Sequence, residues 1–133
     1  MSGMTSYLQQ ALLDHVLGNS IYTAPAGVWL SLHVADPTDT GSHANEISSG
    51  GYARQPLSAI LTAADPSSGI STNTTATNVG PATVDWGTVS YGAIEDAVTS
   101  GNMLLSNALT TAQVINNGEE FQLAPTQLQL QFA

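Results

Sequence analysis

The side chains that could support catalysis or metal binding are few, and their spacing fits no common site. The three histidines are His15, His33 and His43, and they form no His-x-His or His-Glu-x-x-His pattern. A zinc site needs three or four converging ligands, so this spacing does not predict one. We expect no metal ion, and we interpret His15 as a half-buried helical residue and His33 as a residue on the outward face of a strand.

The carboxylates also lack a calcium-binding or catalytic pattern. Asp36 and Asp39 lie in the turn-forming stretch "ADPTDTG", which has neither the alternating ligands nor the closing glutamate of an EF-hand. Asp85, Glu95 and Asp96 could act as acid and base, but acids near turns are common in β-proteins. The chain also has no lysine and no Gly-x-Ser-x-Gly elbow. The sequence therefore predicts neither an enzyme nor a bound cofactor.

The charge balance excludes several classes of partner. One arginine stands against ten acidic residues, and the formal net charge is −9 at pH 7. Binding to DNA or RNA relies on lysine and arginine to neutralise phosphates, so neither nucleic acids nor anionic membranes are expected partners. The apolar runs are too short for a membrane span, and the start of the chain has no basic leader typical of a signal peptide. Without cysteine there are no disulfides or thiolate ligands.

One helix and a series of short strands are predicted. Residues 5–17 have apolar side chains at helical spacing, with Thr5 or Ser6 available as the N-cap and Gly18 as the stop. From residue 28 the apolar period changes to two, which is typical of a strand. The remaining predicted strands are 52–61, 72–79, 83–86, 88–94, 102–109, 113–115, 119–123 and 127–132. In the last of these, Leu128, Leu130 and Phe132 are expected to face inward.

Short strands with turn signals at roughly ten-residue spacing are typical of an antiparallel β-sandwich. We therefore predict a mainly β fold, jelly-roll-like or an open barrel, with one N-terminal α-helix. The length of 133 residues suits a single domain spanning residues 1–133.

A long polar loop and the lone arginine that follows it form the candidate site. Residues 35–51 are unusually long for a loop in a compact domain, which favours function or contact with a partner. Gly50 and Gly51 are predicted to act as its hinge. Arg54 is predicted to clamp the loop to the next strand through its planar guanidinium, within one subunit or across an interface. The candidate carboxylate partners are Asp36, Asp39 and Glu46.

Aromatic residues on separate strands offer a second candidate surface. Trp29, Tyr52, Trp86 and Tyr91 could form a platform on which a sugar stacks, although aromatics so spaced are more often core or interface anchors. Trp29 and Tyr52 are the candidate interface or glycan contacts.

Three stretches of sequence resemble a known family. They are "YTAPAGVWLSLHVADPTDTG", "GGYAR", and "WGTVSYGAIEDA" followed by "GNMLL". From about residue 8 to its end, the chain is similar to small bacteriophage virion proteins described as tail-fibre-like. It departs from them in lacking their usual lysine near "ALTTAQVINNG", and in having "PLSAILTAAD" where aromatic residues are more common.

The resemblance implies a non-enzymatic structural protein of the virion, assembled in the cytoplasm of the host bacterium. Its partners would be other virion proteins and copies of itself. Two alternatives stay open, namely a decoration (cement) protein on the phage head and a module that binds host glycan.

Overall fold

The chain is built mainly of antiparallel β-strands with one helix near its start, as the sequence predicts. The computed structural model describes residues 3–132. Helix α1 comprises Ser6–Val16. The strands are β1 (Trp29–His33), β2 (Gln55–Pro56), β3 (Ser71–Thr72), β4 (Thr77–Val79), β5 (Gly87–Glu95), β6 (Met103–Ile115), β7 (Phe121–Leu123) and β8 (Gln129–Leu130).

The strands form one four-stranded sheet and two small ones. The larger sheet has the order β2-β1-β5-β6, so β6 lies at its edge, and the pairs β3-β8 and β4-β7 form the two-stranded sheets. Every pairing between these strands is antiparallel. The register of β5 and β6 shifts between Val89 and Tyr91, which leaves a bulge in the long edge strand.

The hydrophobic core lies between the four-stranded sheet and the small sheets. Leu30 and Ile94 pair across β1 and β5 and share a buried cluster with Val79 of β4 and Phe121 of β7. Side chains alternate between the two faces of a strand, so one face of the large sheet contributes to this core. The arrangement is therefore sandwich-like.

Helix α1 follows the predicted range of 5–17 closely. The Thr5 hydroxyl accepts a hydrogen bond from the Leu8 amide at 3.4 Å and donates one to the Met103 carbonyl at 2.6 Å, so the N-cap also joins the helix to β6. Gly18 follows the helix with a φ of 79°, the left-handed conformation expected after a C-terminus. At eleven residues α1 is too short to cross a bilayer, and the described part of the chain contains no other helix that could.

The prediction that His33 faces outward is wrong, because its side chain is fully buried. The chain following β1 folds back along it. The Ile47 amide donates to the Leu32 carbonyl at 3.1 Å, and the backbones of Glu46 and His33 form an antiparallel β-bridge. Both faces of β1 are buried, so alternation along the strand does not separate buried from exposed positions.

Several other strand predictions also differ from the structure. The two strands predicted at 102–109 and 113–115 are one continuous strand, β6. Residues 83–86 contain no strand, because the Thr83 and Trp86 amides bond separately to the carbonyls of Gly50 and Ile115. The strands predicted at 52–61 and 127–132 are reduced to two residues each. Phe132, predicted to face inward, is 56% exposed.

The predicted hinge glycines form a turn held tightly against the segment that follows β4. Gly50 and Gly51 have φ values of 68° and 81°. The Gly50 carbonyl accepts hydrogen bonds from the Thr83 amide at 2.8 Å and the Trp86 indole at 3.0 Å. A Cβ on Gly51 would lie only 2.6 Å from the Pro81 carbonyl oxygen. Both the backbone angle and the lack of space therefore require glycine at position 51.

We expect Gly51→Ala to destabilise the protein more than Gly118→Ala. Both glycines have positive φ, but nothing lies within 4 Å of a Cβ on Gly118. The left-handed conformation should cost either variant about 1–2 kcal/mol. Gly51→Ala should lose a further ~1–3 kcal/mol from the clash with Pro81. Urea unfolding measures both, and equal losses would contradict the steric explanation.

A buried ionic cluster as the candidate functional site

A group of polar and charged side chains is buried where β1, the loop that follows it and the end of β5 meet. We call this group the ionic cluster, and its members are Ser31, His33, His43, Glu46, Tyr52, Arg54 and Glu95. The Arg54 side chain is only 4% exposed and that of Glu95 is fully buried. Buried charges are tolerated when they are paired and hydrogen-bonded, so the contacts within the cluster determine whether it can exist.

Arg54 uses its guanidinium to join two segments of the chain. Nε and Nη2 donate to the two carboxylate oxygens of Glu46 at 2.8 and 2.7 Å, a bidentate pair. Nη1 donates to the carbonyls of Ala97 and Ser100, both at 2.9 Å, and lies 3.9 Å from a Glu95 oxygen. The planar fork of arginine satisfies all these acceptors at once, which the single ammonium of lysine cannot do.

The Ala97 and Ser100 carbonyls, which accept hydrogen bonds from Arg54 Nη1, belong to the turn between β5 and β6. Ser100 and Gly101 have φ values of 53° and 74°, so the chain reverses sharply there. Asp96 secures the turn by accepting from the Asn102 amide at 2.7 Å. A Cβ on Gly101 would lie 2.7 Å from that of Ala97, so this position has no room for a larger residue.

Glu95 collects hydrogen bonds from β1 and from the loop. Its Oε1 accepts from the Ser31 hydroxyl at 2.7 Å, and its Oε2 accepts from His43 Nε2 at 2.9 Å. Because the Ser31 hydroxyl donates its proton to Glu95, it can only accept at its 3.0 Å contact with His33 Nε2. The imidazole is therefore the donor in that contact. His33 itself lies 3.9 Å from Glu95, too far for a direct hydrogen bond.

Tyr52 completes the cluster from the opposite side. Its hydroxyl donates to Glu46 Oε2 at 2.6 Å and accepts from the Leu32 amide at 3.1 Å. Its ring packs edge to face on Trp86, with the ring centroids 5.7 Å apart. Tyr52 therefore connects the aromatic core to the ionic cluster and orients the carboxylate that Arg54 binds.

These contacts shift the pKa values of the ionisable groups. Burial raises the pKa of Glu95, but the nearby His33 imidazole, the hydrogen bonds from His43 and Ser31 and the charge of Arg54 outweigh it, and the resulting pKa is about 2. The pKa of Glu46 is also lowered, because the hydrogen bonds from Arg54 and Tyr52 outweigh burial. Burial and the hydrogen bond to Glu46 raise the pKa of Tyr52, and bonding to Glu46 raises that of Arg54 despite its burial. Both carboxylates are therefore ionised around a protonated tyrosine and arginine.

The cluster also brings together three groups that could bind a cation. His43, Glu46 and Glu95 each offer a ligand atom within 4.8 Å of the others. All four carboxylate oxygens already accept hydrogen bonds, and the Arg54 guanidinium supplies the positive charge between them. A metal ion would have to compete with these hydrogen bonds. The Ser31 hydroxyl is fully buried and donates to a carboxylate, an arrangement that suits structural linkage better than nucleophilic attack.

The residues predicted from the sequence are only partly brought together. Of the three carboxylates proposed for Arg54, the structure places Glu46 against it. Asp36 instead accepts from the Thr38 amide at 2.8 Å, and the Asp39 carbonyl accepts from the Ser6 amide at 2.8 Å. Trp29 is half-buried at the start of β1.

The sequence reasoning missed His33, His43, Ser31 and Glu95 as members of the cluster. Glu95 ends an apolar strand in a chain with few charges, which is a usable signal for a buried acid. Its histidine partners, however, are more than fifty positions away, and no local pattern identifies them.

A comparison with known families finds one matching model, described as "Podophage GP4 fiber I protein gp80", over residues 3–131. The match includes α1, all eight strands and every member of the ionic cluster. No curated protein matches the chain.

We expect Arg54→Ala to be strongly destabilising, by about 3–5 kcal/mol, because it leaves two buried carboxylates without their cation. Arg54→Lys retains the charge but cannot form the bidentate pair with Glu46. Its free energy of unfolding should fall by about 1–3 kcal/mol. Glu46→Gln provides a double-mutant cycle with Arg54→Ala, in which the combined loss should be smaller than the sum. Urea unfolding gives the free energies, and amide exchange at residues 45–47 reports on the loop. Unchanged stability in both arginine variants would contradict a clamp.

The cluster also predicts a loss of stability in acid. Because the folded pKa of Glu95 lies below its ordinary value of 4.5, the unfolded state binds more protons between pH 4.5 and about 2. The stabilisation is fully present above this range and should fall as the pH falls through it, with Glu46 acting in the same direction.

Asp65 provides the control for this experiment. It is fully exposed, yet hydrogen bonds from Ser67 and Ser68 lower its pKa to about 2, so it titrates in the same range. Urea unfolding across the range should show a shallower pH dependence in Glu95→Gln than in the parent protein. In Asp65→Asn, the pH dependence that comes from the cluster should remain, and only the part that comes from Asp65 itself should be lost. An unchanged slope in Glu95→Gln would exclude Glu95 as the source.

Proposed function

Since the chain belongs to the podophage fiber protein family described as GP4 fiber I protein gp80, we propose that it docks on a neighbouring virion subunit through the exposed end of α1. Family membership establishes a tail-fibre-like structural protein of a phage. The exposed apolar face of α1 is the observation that carries the more specific role.

This face consists of large apolar side chains that no residue of the described range 3–132 covers. We call it the α1 patch, and it comprises Leu13, Val16, Leu17 and Ile21, which are 58, 77, 63 and 83% exposed. Leu13, Val16 and Leu17 are three and four positions apart, so they lie on one side of the helical turn. Leu8 is the buried residue of α1. Contiguous exposed apolar side chains of this kind are typical of a surface that contacts another protein.

The charge of the chain limits how it can contact a partner. Its one cationic side chain, Arg54, is buried in the ionic cluster, so no lysine or arginine is available on the surface to pair with a partner's acids. Association with an acidic or neutral surface must then rely on apolar contact and neutral hydrogen bonds. The α1 patch provides the apolar contact, and a neighbouring subunit with an apolar surface is the partner it fits.

The interior suits a structural role. The ionic cluster links the loop after β1 to the turn between β5 and β6, and the Gly50-Gly51 turn packs against residues 81–86. These contacts favour a stiff domain that holds the α1 patch in a fixed orientation. In the same proposal the protein resides in the virion, is assembled in the host cytoplasm, and also associates with copies of itself.

The alternatives make different use of the same domain. A head-decorating protein would also use an apolar docking surface, and its position in the particle would distinguish it. A glycan-binding role requires open aromatic faces. Tyr52 offers little for this purpose, because its hydroxyl bonds to Glu46 and its ring packs on Trp86. Trp29 is half-buried, as Tyr52 is, but no contact of this kind with another described residue engages its ring.

We expect Val16→Ser to reduce incorporation of the protein into phage particles, whereas Val114→Ser should not. Val114 is 58% exposed but lies near the far end of β6, away from the residues that contact α1. Losing one buried valine at an interface should cost about 1.5–3 kcal/mol, roughly tenfold or more in affinity. Adding Leu13→Ser should deepen the loss.

Mass spectrometry of purified particles measures incorporation, and sedimentation of the isolated variants measures self-association. Substitutions at such exposed positions usually change stability by less than about 0.5 kcal/mol, so the variants should fold. Normal incorporation of the double variant would exclude the α1 patch as the docking surface.

A further inference from the structure

An uncharged cleft opens between the outer edge of β6 and strand β8. Its volume is about 740 Å³, and its apolar surface includes Leu30, Ile94 and Leu109 on one side and Leu123, Leu128 and Leu130 on the other. These are side chains of the four-stranded sheet and of the small sheets, so the cleft is a part of the sandwich that the described residues leave open. We call it the β6–β8 cleft.

One wall of the cleft is the edge strand β6. Residues 105–111 line this side without a gap, and residues 127–131 line the other. β6 is the last strand of its sheet, and β8 pairs with β3. Gly3, whose carbonyl accepts a hydrogen bond from the Ser106 amide, also lines the cleft. The outer edge of β6 therefore borders the cleft.

An extended segment of the chain already pairs with this edge at one end of the cleft. The Ser106 amide donates to the Gly3 carbonyl at 2.6 Å, and the Thr5 amide donates to the Leu104 carbonyl at 2.9 Å. Met4 forms an antiparallel bridge with Leu105. The β6 edge therefore accepts an added antiparallel strand, and the cleft continues beyond that segment along residues 107–111.

The lining determines the chemistry of an occupant. It contains no acidic, basic or histidine side chain, although the chain has a net charge of −9. Its polar groups are amides and hydroxyls, including Asn107, Thr110, Gln127 and Gln129. Its one aromatic residue, Phe121, is fully buried and offers no face on which a sugar could stack. An uncharged extended polypeptide fits better than a glycan or a charged ligand.

We propose that the β6–β8 cleft binds an extended, uncharged polypeptide segment of a neighbouring virion subunit by strand addition to β6. Main-chain hydrogen bonds to the edge would supply affinity, and alternate apolar side chains of the added strand would fill the cleft. This surface is separate from the α1 patch, although a virion subunit as the donor rests on the proposed function.

The test uses the isolated chain and a capped synthetic peptide, Thr-Gln-Leu-Gln-Leu-Gln-Phe, which is uncharged and alternates as the proposal requires. Peptide binding should shift the backbone amide resonances of residues 105–111 in a saturable manner. The same peptide methylated on alternate backbone nitrogens should not bind, because it cannot donate to the edge. Maltoheptaose, a neutral oligosaccharide, should have no effect.

Two lysine variants provide matched controls. Ala108 and Ala112 are both exposed residues of β6, but only Ala108 lines the cleft. Ala108→Lys should weaken peptide binding about tenfold or more, because it places a charge that must be desolvated, and Ala112→Lys should leave binding unchanged. The proposal is overturned if the shifts are absent at about 1 mM peptide, if maltoheptaose produces them instead, or if both variants bind equally. These results do not depend on α1, so failure here would leave the docking role of α1 intact.

Discussion

The structure depends on one guanidinium that neutralises two buried carboxylates. Arg54 holds both oxygens of Glu46 and two carbonyls of the turn after β5, and it lies 3.9 Å from Glu95. Without it, two negative charges would face each other in a low-dielectric interior, where pairing is the condition for burial. Three segments that are distant in sequence are thus joined at one side chain. The single cationic side chain of this chain therefore lies where its charge neutralises buried carboxylates.

The burial of Arg54 explains why the surface carries no lysine or arginine side chain. With its arginine buried, the surface displays acids, amides, hydroxyls and scattered apolar residues, and it lacks the basic side chains that attract nucleic acid or anionic lipid. Contacts with an acidic or neutral partner must then use shape and apolar area. The two surfaces that stand out, the α1 patch and the β6–β8 cleft, are both of this kind, which is consistent with a family of phage structural proteins.

Local patterns predicted the elements well where short-range physics decides them. The helix has its cap at Thr5 and its glycine stop at position 18, and the period-two pattern after residue 28 is β1. Predictions that depended on distant partners were less accurate. His33 was predicted to face outward because alternation assumes one solvated face, whereas both faces of β1 are buried. The bulge in β6 made one strand look like two.

The sequence by itself determined the mainly β class, the helix, the scarcity of cations and the resemblance to phage virion proteins. It also indicated that Arg54 is held by a carboxylate or by loop carbonyls, because a lone guanidinium has little reason to persist as an exposed charge. Only the tertiary structure decided that this partner is Glu46 and that Glu95, Ser31 and two histidines join it. The pairing of buried charges is a matter of distance in space, and residues 31, 46, 54 and 95 become neighbours only when β1 and β5 pair and the loop closes over them.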